Sequence, residues 1–358
     1  MPRFQFVDEP DSLADELRRH SLLAVDTEFM RERTYFAQLC LVQIASPESI
    51  WCADPLSGHG VDAFWDALLA RDWVLHSARQ DIEVIYQTAG TMPAAIFDTQ
   101  IAAALLGMPA QMGYAGLVRE LFDVEIHKSH TRADWSKRPL RDEYLEYAAE
   151  DVEYLLPAYE ILTDRLEEKG RLEWAREDAG RLLDPALYEV AEGEAIDRLK
   201  GARNFRGRKR AAAARLAEWR EAEAVRRDRP RQWILRDSVL LDIAWNLPES
   251  EQRLAEIEEL PPKLVKRAGH ELLEAVRKSA GDSRSYEPPG PPDERQKGIL
   301  KEMQSRVAAC AAELDIAAET LASKRELSAV IVGGDRDSRL FDGWRAEIVG
   351  NDLADLLE

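Results

Sequence analysis

The sequence predicts an α/β domain over residues 1–200, followed by a chain that is helical throughout. Short apolar runs at 22–25, 39–45, 49–53 and 73–76 alternate with stretches of helical periodicity at 61–69, 81–88, 98–106 and 114–122. This alternation is typical of a mixed sheet with helices on its faces. Beyond residue 210 only helical patterns follow, and they are interrupted by a spacer rich in Pro and Gly at 281–292.

Length and composition limit the class of protein. A chain of 358 residues is long enough for two or three domains. No apolar run reaches the length of a membrane span, and the first residues lack a signal-peptide pattern. Three scattered cysteines are too few for a disulfide framework or a zinc knuckle. We therefore expect a cytoplasmic protein, with no membrane contact and no evident protein partner.

Two acidic residues follow the first apolar run, Leu22–Val25. Side chains alternate along a strand, so Asp26 and Glu28 point to the same face. In a chain with 67 acidic residues such a pair is common, and alone it is more typical of a solvated strand end. The pair becomes informative only together with the acidic residues that follow later in the chain.

Three further residues complete a candidate site. Asp81 follows the predicted strand at 73–76 and lies in the first turn of a helix, where the helix dipole favours a carboxylate. Tyr147 and Asp151 lie in a helical stretch that begins near Asp142. Residues four apart in a helix are stacked neighbours, about 5–6 Å apart at Cβ. Tyr147 and Asp151 therefore share a face.

This arrangement resembles the DEDD superfamily of 3′–5′ exonucleases, in the branch that carries a tyrosine. The flanking stretches 131–140 and 146–157 are similar to the ribonuclease D family. The resemblance covers about the first 200 residues and implies a ribonuclease-H-like fold. It also implies a 3′–5′ exoribonuclease that trims structured RNA, such as tRNA precursors, and releases nucleoside 5′-monophosphates.

Four carboxylates in one cleft repel each other, by about 4 kcal/mol for a pair 4 Å apart at an effective dielectric constant of 20. Such a cluster takes up protons, spreads apart or binds cations, and oxygen ligands suit Mg²⁺ or Mn²⁺. The resemblance implies two such ions and a role for each residue. Asp26 would bridge both ions, and Glu28 and Asp151 would complete the shell of the first ion. Asp81 would support the second ion, and Tyr147 would orient the attacking water.

The net charge of −19 opposes binding to phosphate, so contacts with nucleic acid require a local basic cluster. One lies between Asp197 and Arg236, with 14 Lys and Arg against five Asp and Glu. A basic run is often only a solvated linker. In this acidic chain we favour phosphate contacts, by Arg206, Arg208 and Lys209.

Three other residues are candidates for substrate binding. Lys128 and Arg132 lie in an irregular stretch, 122–140, which is either a loop that caps the cleft or a loop that contacts substrate phosphates. Phe29 follows the metal-binding acids directly. It either stacks on the terminal base or belongs to the core.

The helical part resembles the HRDC domain, a module shared by helicases and ribonuclease D. The resemblance rests on residues 216–220, the Asp228–Pro230 turn and residues 237–244. We expect an exonuclease domain at 1–200, a basic linker at 201–209, an HRDC domain at 210–280 and a Pro/Gly linker at 281–292. A second HRDC-like bundle would follow at 293–358. The HRDC domain is either a binding module or a scaffold for the nuclease.

Two alternative functions remain open at this stage. One is a DNA exonuclease of the same superfamily, because no residue identifies a contact with the RNA 2′-hydroxyl. The other is a catalytically inactive protein that binds nucleic acid. The presence of all five site residues argues against the second.

Overall fold

The computed structural model describes residues 4–126, 133–189, 193–282, 286 and 290–357. The chain forms two compact units. Unit 1 consists of Met1–Met30, Gln38–Asp184 and Gly290–Glu358, and unit 2 consists of Arg31–Ala37 and Pro185–Pro289. Both units therefore contain segments that are distant in sequence. Among the described residues, no helix combines the length and apolar character that a membrane span requires.

A six-stranded mixed sheet forms the centre of unit 1. Its strands are β1 (Gln5–Val7), β2 (Leu22–Met30), β3 (Gln38–Ala45), β4 (Ile50–Ala53), β5 (Asp72–Leu75) and β6 (Ala95–Asp98), in the order β1-β4-β3-β2-β5-β6. β2 pairs antiparallel with β3 and parallel with β5, so the predicted mixed sheet is confirmed. The sequence did not predict β1 or β6, because β1 has only three residues and β6 runs directly into the helix that follows it.

Three helices of unit 1 carry or support the site: α1 (Arg79–Ala89), α2 (Thr99–Leu105) and α3 (Asp142–Glu153). α3 packs on β2, β3 and β4. The other helices of the first 184 residues are Ala14–Leu17, Asp62–Leu69, Tyr114–Phe122, Leu155–Glu168 and Leu172–Gly180. The sequence predicted continuous helix from Asp142 to about Glu194. The structure divides it near Tyr154 and again at Gly170, whose positive φ ends the second helix.

The C-terminal segment completes unit 1. Its helices are Glu294–Glu313, Ala318–Leu321, Lys324–Gly333, Gly343–Arg345 and Asn351–Ala354. Met303 and Val307 are buried in the same apolar cluster as Leu162 of the preceding helices. Arg345 forms a buried ion pair with Asp178. The residues from Gly290 onward therefore belong to the same compact unit as the sheet, and the boundary between the units lies at Pro289 and Gly290.

Unit 2 is helical and includes α4 (Gly207–Arg227) and α5 (Asp237–Asn246). The helices Arg231–Ile234, Glu251–Ala255 and Pro262–Lys278 complete it. Its apolar core contains Leu216, Leu240, Ile243, Leu254 and Leu272.

The short segment Arg31–Ala37, which connects β2 to β3, belongs to unit 2 as well. The Tyr35 hydroxyl donates a hydrogen bond to the Glu221 carboxylate. The backbone N–H groups of Tyr35 and Phe36 donate to the Asp228 carboxylate, at 2.9 and 3.1 Å. The segment between β2 and β3 is therefore held by Glu221 of α4 and by Asp228, the residue that follows α4.

Candidate active site

β2 supplies two of the predicted acids. Asp26 and Glu28 alternate with the buried Val25 and Thr27, so the two carboxylates lie on one face of the sheet. The register with β3 shifts between Glu28 and Phe29, so the pairing of the two strands is irregular directly after the acids. The strand is longer than the apolar run that predicted it, because it continues through the two acids to Met30.

Asp81 lies in the first turn of α1, as the sequence predicted, and it is buried. The Thr27 hydroxyl donates a hydrogen bond of 2.5 Å to Asp81 Oδ1, which ties α1 to β2. The turn before α1 contains Ser77 with a φ of 61°. The Asp98 carboxylate accepts hydrogen bonds from the N–H groups of Ser77 and Ala78, at 3.1 and 2.8 Å. Asp98 thus fixes the turn that positions Asp81.

α3 supplies Tyr147 and Asp151, whose side chains form a hydrogen bond with each other. The ring of Trp135 is buried, with its centroid 6.3 Å from that of Tyr147 and 5.6 Å from that of Tyr144. The helical spacing predicted that Tyr147 and Asp151 share a face. Trp135 packs beside this face as a core residue.

The electrostatics show that the four carboxylates are close together. Burial raises the pKa of Asp26 well above its usual range, and the charges of Asp81, Asp151 and Glu28 raise it further. Burial, followed by the charges of Asp151 and Asp81, raises the pKa of Glu28 to about 9. Burial raises the pKa of Asp81 to about 7, although the hydrogen bond from Thr27 opposes this shift. The charges of Asp81 and Asp151 thus act on both Asp26 and Glu28.

This donor set fits hard divalent cations. Repulsion among carboxylates disfavours their ionised forms, and a cation between them removes that repulsion. Gln43 of β3 lies directly opposite Asp26 and is fully buried, and within the described ranges its amide oxygen and nitrogen have no hydrogen-bond partner. Such an amide can bond to a water or ligand at the site. Across the described part of the chain, no three His, Cys, Asp or Glu side chains are already arranged to enclose an ion.

Two residues near the site were not identified from the sequence. The Tyr114 hydroxyl donates to the backbone oxygen of Glu150 at 3.1 Å and accepts from the Tyr154 N–H at 3.0 Å. Burial raises the pKa of Tyr114 well above its usual range, and the charge of Asp151 contributes to this shift. Tyr114 therefore fixes the end of α3, just beside Asp151. No local pattern around residue 114 signals this role.

Arg138 is the second residue of this kind. Its guanidinium bonds both oxygens of the buried Asp54 carboxylate, at 2.5 and 2.6 Å. It also donates to the backbone oxygens of Trp135 and Cys40, each at 2.7 Å. Arg138 thus ties the segment that contains Trp135 to the sheet. Arg138 lies in the stretch 131–140 that resembles the family, and this resemblance was the sequence signal that could have identified it.

The predicted substrate-binding residues are distributed over both units. Phe29 lies on β2 and is half-buried. Lys128 and Arg132 lie outside the described residues. Arg206, Arg208 and Lys209 lie at the start of α4 in unit 2, whereas the carboxylates lie in unit 1.

The chain is similar to known proteins over nearly its whole length. A family model described as 3′–5′ exonuclease matches residues 4–167, and one described as HRDC domain matches residues 209–276. Ribonuclease D of Gluconacetobacter diazotrophicus is 35% identical over 354 residues, which cover 95% of this chain and 88% of that protein. Ribonuclease D of Pseudomonas paraeruginosa is 34% identical and covers 100% of this chain and 98% of the relative.

A solved structure gives the same result for the fold. The crystal structure of Escherichia coli RNase D, described as an exoribonuclease involved in structured RNA processing, matches with a TM-score of 0.84 and 30% identity. The match covers 99% of this chain and 98% of that chain. It confirms the predicted α/β exonuclease fold followed by a helical HRDC region. The chain belongs to the ribonuclease D family of 3′–5′ exoribonucleases.

Proposed function

We propose that this protein is a metal-dependent exoribonuclease that trims the 3′ ends of structured RNA, with tRNA precursors as the expected substrates. The observation that carries the proposal is the electrostatic cluster of Asp26, Glu28, Asp81 and Asp151, with Tyr147 bonded to one of its members. The similarity to the E. coli enzyme, described as processing structured RNA, supports the substrate class.

The four carboxylates would hold two divalent cations, Mg²⁺ or Mn²⁺. When bound, such ions lower the pKa of a water and stabilise the attacking and leaving oxygens of a phosphodiester. Asp26 is affected by the charges of all three other acids, which fits a residue that faces both ions. After burial, the charge of Asp151 is the largest cause of the raised pKa of Glu28, and these two residues would share one ion. Asp81, held by Thr27, would support the other.

Tyr147 would orient the attacking water. Burial and the charge of Asp151 raise the pKa of Tyr147 above its usual range, so its hydroxyl stays protonated at neutral pH. A protonated hydroxyl is a poor base. Its proton is used in the hydrogen bond to Asp151, and its oxygen lone pairs remain to accept a hydrogen bond from a water. This directs a lone pair of the water towards the phosphorus.

The substrate contacts that we propose are those of the residues predicted from the sequence. Arg206, Arg208 and Lys209 would bind phosphates upstream of the 3′ end. Lys128 and Arg132 would contact phosphates near the cleft, and Phe29 would stack on the terminal base. We also propose a cytoplasmic location, where tRNA precursors are made. The free thiols of the three cysteines are compatible with a reducing compartment.

The test is a cleavage assay with a 5′-labelled RNA that has a single-stranded 3′ tail, beside a DNA of matched sequence. Each is incubated with Mg²⁺, with Mn²⁺ and with chelator. We expect a ladder that shortens from the 3′ end, requires metal and forms faster on RNA. Faster cleavage of DNA would favour the DNA exonuclease. Binding of RNA without shortening in either metal would leave an inactive binding protein.

A further inference from the structure

Unit 2 exposes an aromatic side chain next to its most basic segment. Trp245, near the end of α5, is 55% exposed. Among the large apolar side chains that the structure describes, only Trp233 is more exposed, at 60%. An exposed tryptophan leaves a large apolar surface in contact with water, and what distinguishes Trp245 from a singly exposed apolar residue is the group of side chains around it.

Trp245 is part of a defined group of side chains. The Lys209 ammonium lies 3.3 Å from the centroid of the Trp245 ring, a cation–π contact. The ring of Phe205 lies 5.6 Å from the Trp245 ring at an interplanar angle of 58°. We refer to Phe205, Lys209 and Trp245 as the aromatic–basic surface. It joins the start of α4 to the end of α5 within unit 2.

The charge beside this surface is not explained by helix stability. The first turn of α4 contains Arg208, Lys209 and Arg210 and no acidic residue. The amino-terminal end of a helix carries partial positive charge, so cations there are unfavourable and an anion is favourable. Arg210 has an internal role, because it is buried and bonds the backbone oxygens of Ala202 and Tyr286. Within the described part of the chain, Arg208 and Lys209 make no hydrogen bond or ion pair that accounts for their position, whereas contacts with phosphates would account for it.

We propose that the aromatic–basic surface binds the single-stranded part of the RNA substrate. One base stacks on Trp245, and the adjoining phosphates contact Lys209 and Arg208. A base can stack on a side chain only when it is free of its neighbours in a duplex, which favours a single strand. This inference deepens the proposed function, because it assigns to unit 2 the grip on the RNA upstream of the end that is trimmed.

The test measures binding of a long single-stranded oligoribonucleotide to the full-length protein by fluorescence anisotropy, with chelator present to prevent cleavage. Loss of one stacked base weakens binding about 5- to 150-fold, which we expect for Trp245→Ala. Trp245→Phe should recover part of the affinity, because a smaller ring still stacks. Lys209→Gln should lower the slope of log affinity against log salt by about 0.7, whereas Trp245→Ala should leave the slope unchanged.

Trp233→Ala is the matched control. Trp233 lies in the same unit and is slightly more exposed than Trp245. The arginines beside it in sequence are already paired with acids, Arg231 with Glu221 and Arg236 with Glu259. We expect Trp233→Ala to bind RNA like the wild type. Wild-type affinity in Trp245→Ala, or an equal loss in both variants, would overturn the proposal. Thermal unfolding of each variant checks that the fold is retained.

The wild-type protein is assayed for cleavage in parallel. RNA binding that depends on Trp245 without any cleavage would support the surface and contradict the proposed nuclease. Cleavage without any effect of Trp245→Ala on affinity would support the nuclease and contradict the surface. The two proposals therefore fail in different ways.

Discussion

The hydrogen bond between Thr27 and Asp81 gives the sharpest test of the site. The hydroxyl-to-carboxylate distance is 2.5 Å, and the two residues are only 6% and 8% exposed. Thr27→Val removes the hydroxyl and keeps the shape of the side chain. A hydrogen bond to a charged group contributes about 1.5–3 kcal/mol, and one pKa unit corresponds to about 1.4 kcal/mol. We therefore expect the pKa of Asp81, about 7 in the wild type, to rise by about one to two units.

This shift changes the metal requirement in a way that depends on pH. At neutral pH the Asp81 carboxyl is about half ionised in the wild type and about 1–10% ionised in the variant. Because a cation binds the ionised form, the Mg²⁺ concentration for half-maximal cleavage should rise about 5- to 50-fold at neutral pH. The difference should shrink at a pH above the raised pKa, where both proteins are ionised. Initial rates of RNA shortening, measured against Mg²⁺ concentration at the two pH values, check this.

Thr27→Ser is the matched control, because it retains the hydroxyl and loses only a methyl group. It should keep the wild-type metal requirement, even if it lowers the free energy of unfolding. An unchanged metal requirement in Thr27→Val would refute the role of this hydrogen bond. A deficit of equal size at both pH values would refute the explanation through ionisation of Asp81.

Four further outcomes are expected. Asp26→Asn and Asp151→Asn should each abolish cleavage and raise the melting temperature in chelator, because a mutual repulsion is removed. Tyr147→Phe should lower kcat and leave the half-maximal Mg²⁺ concentration nearly unchanged. The pKa of Glu28 is raised from 4.5 to about 9, so the folded metal-free protein binds this proton more tightly than the unfolded chain does. Its free energy of unfolding should therefore fall as pH rises through this interval, and Mg²⁺ should restore it. Deletion of residues 290–358 should destabilise unit 1, measured by urea unfolding, because it removes Met303 and Val307 from the core.

The local geometry of the site followed from spacing. Alternation along β2 placed Asp26 and Glu28 on one face, and helical repeat placed Tyr147 beside Asp151. Such relations depend only on residues a few positions apart. The position of Asp81 in the first turn of α1 followed for the same reason.

The supporting residues could not be predicted in this way. Asp98 fixes the turn at Ser77, and Tyr114 fixes the backbone at Glu150 and Tyr154. These contacts join positions 21 to 40 residues apart, and only the folded sheet and helices bring them together. The catalytic role of the five site residues and the predicted domain limits remain predictions.

Unit 1 is built from segments at both ends of the chain, and this affects how the protein folds during its synthesis. A ribosome produces the carboxylates of β2 and α3 early, but the segment that begins at Gly290 completes the same unit. Until residues such as Leu340 and Leu353 have emerged, apolar surface of the nuclease core stays uncovered. Nascent chains with such surface are prone to aggregate and are recognised by chaperones. A chain that stops after unit 2 would carry every site residue and still lack a finished core, so premature termination should not release a stable, active nuclease.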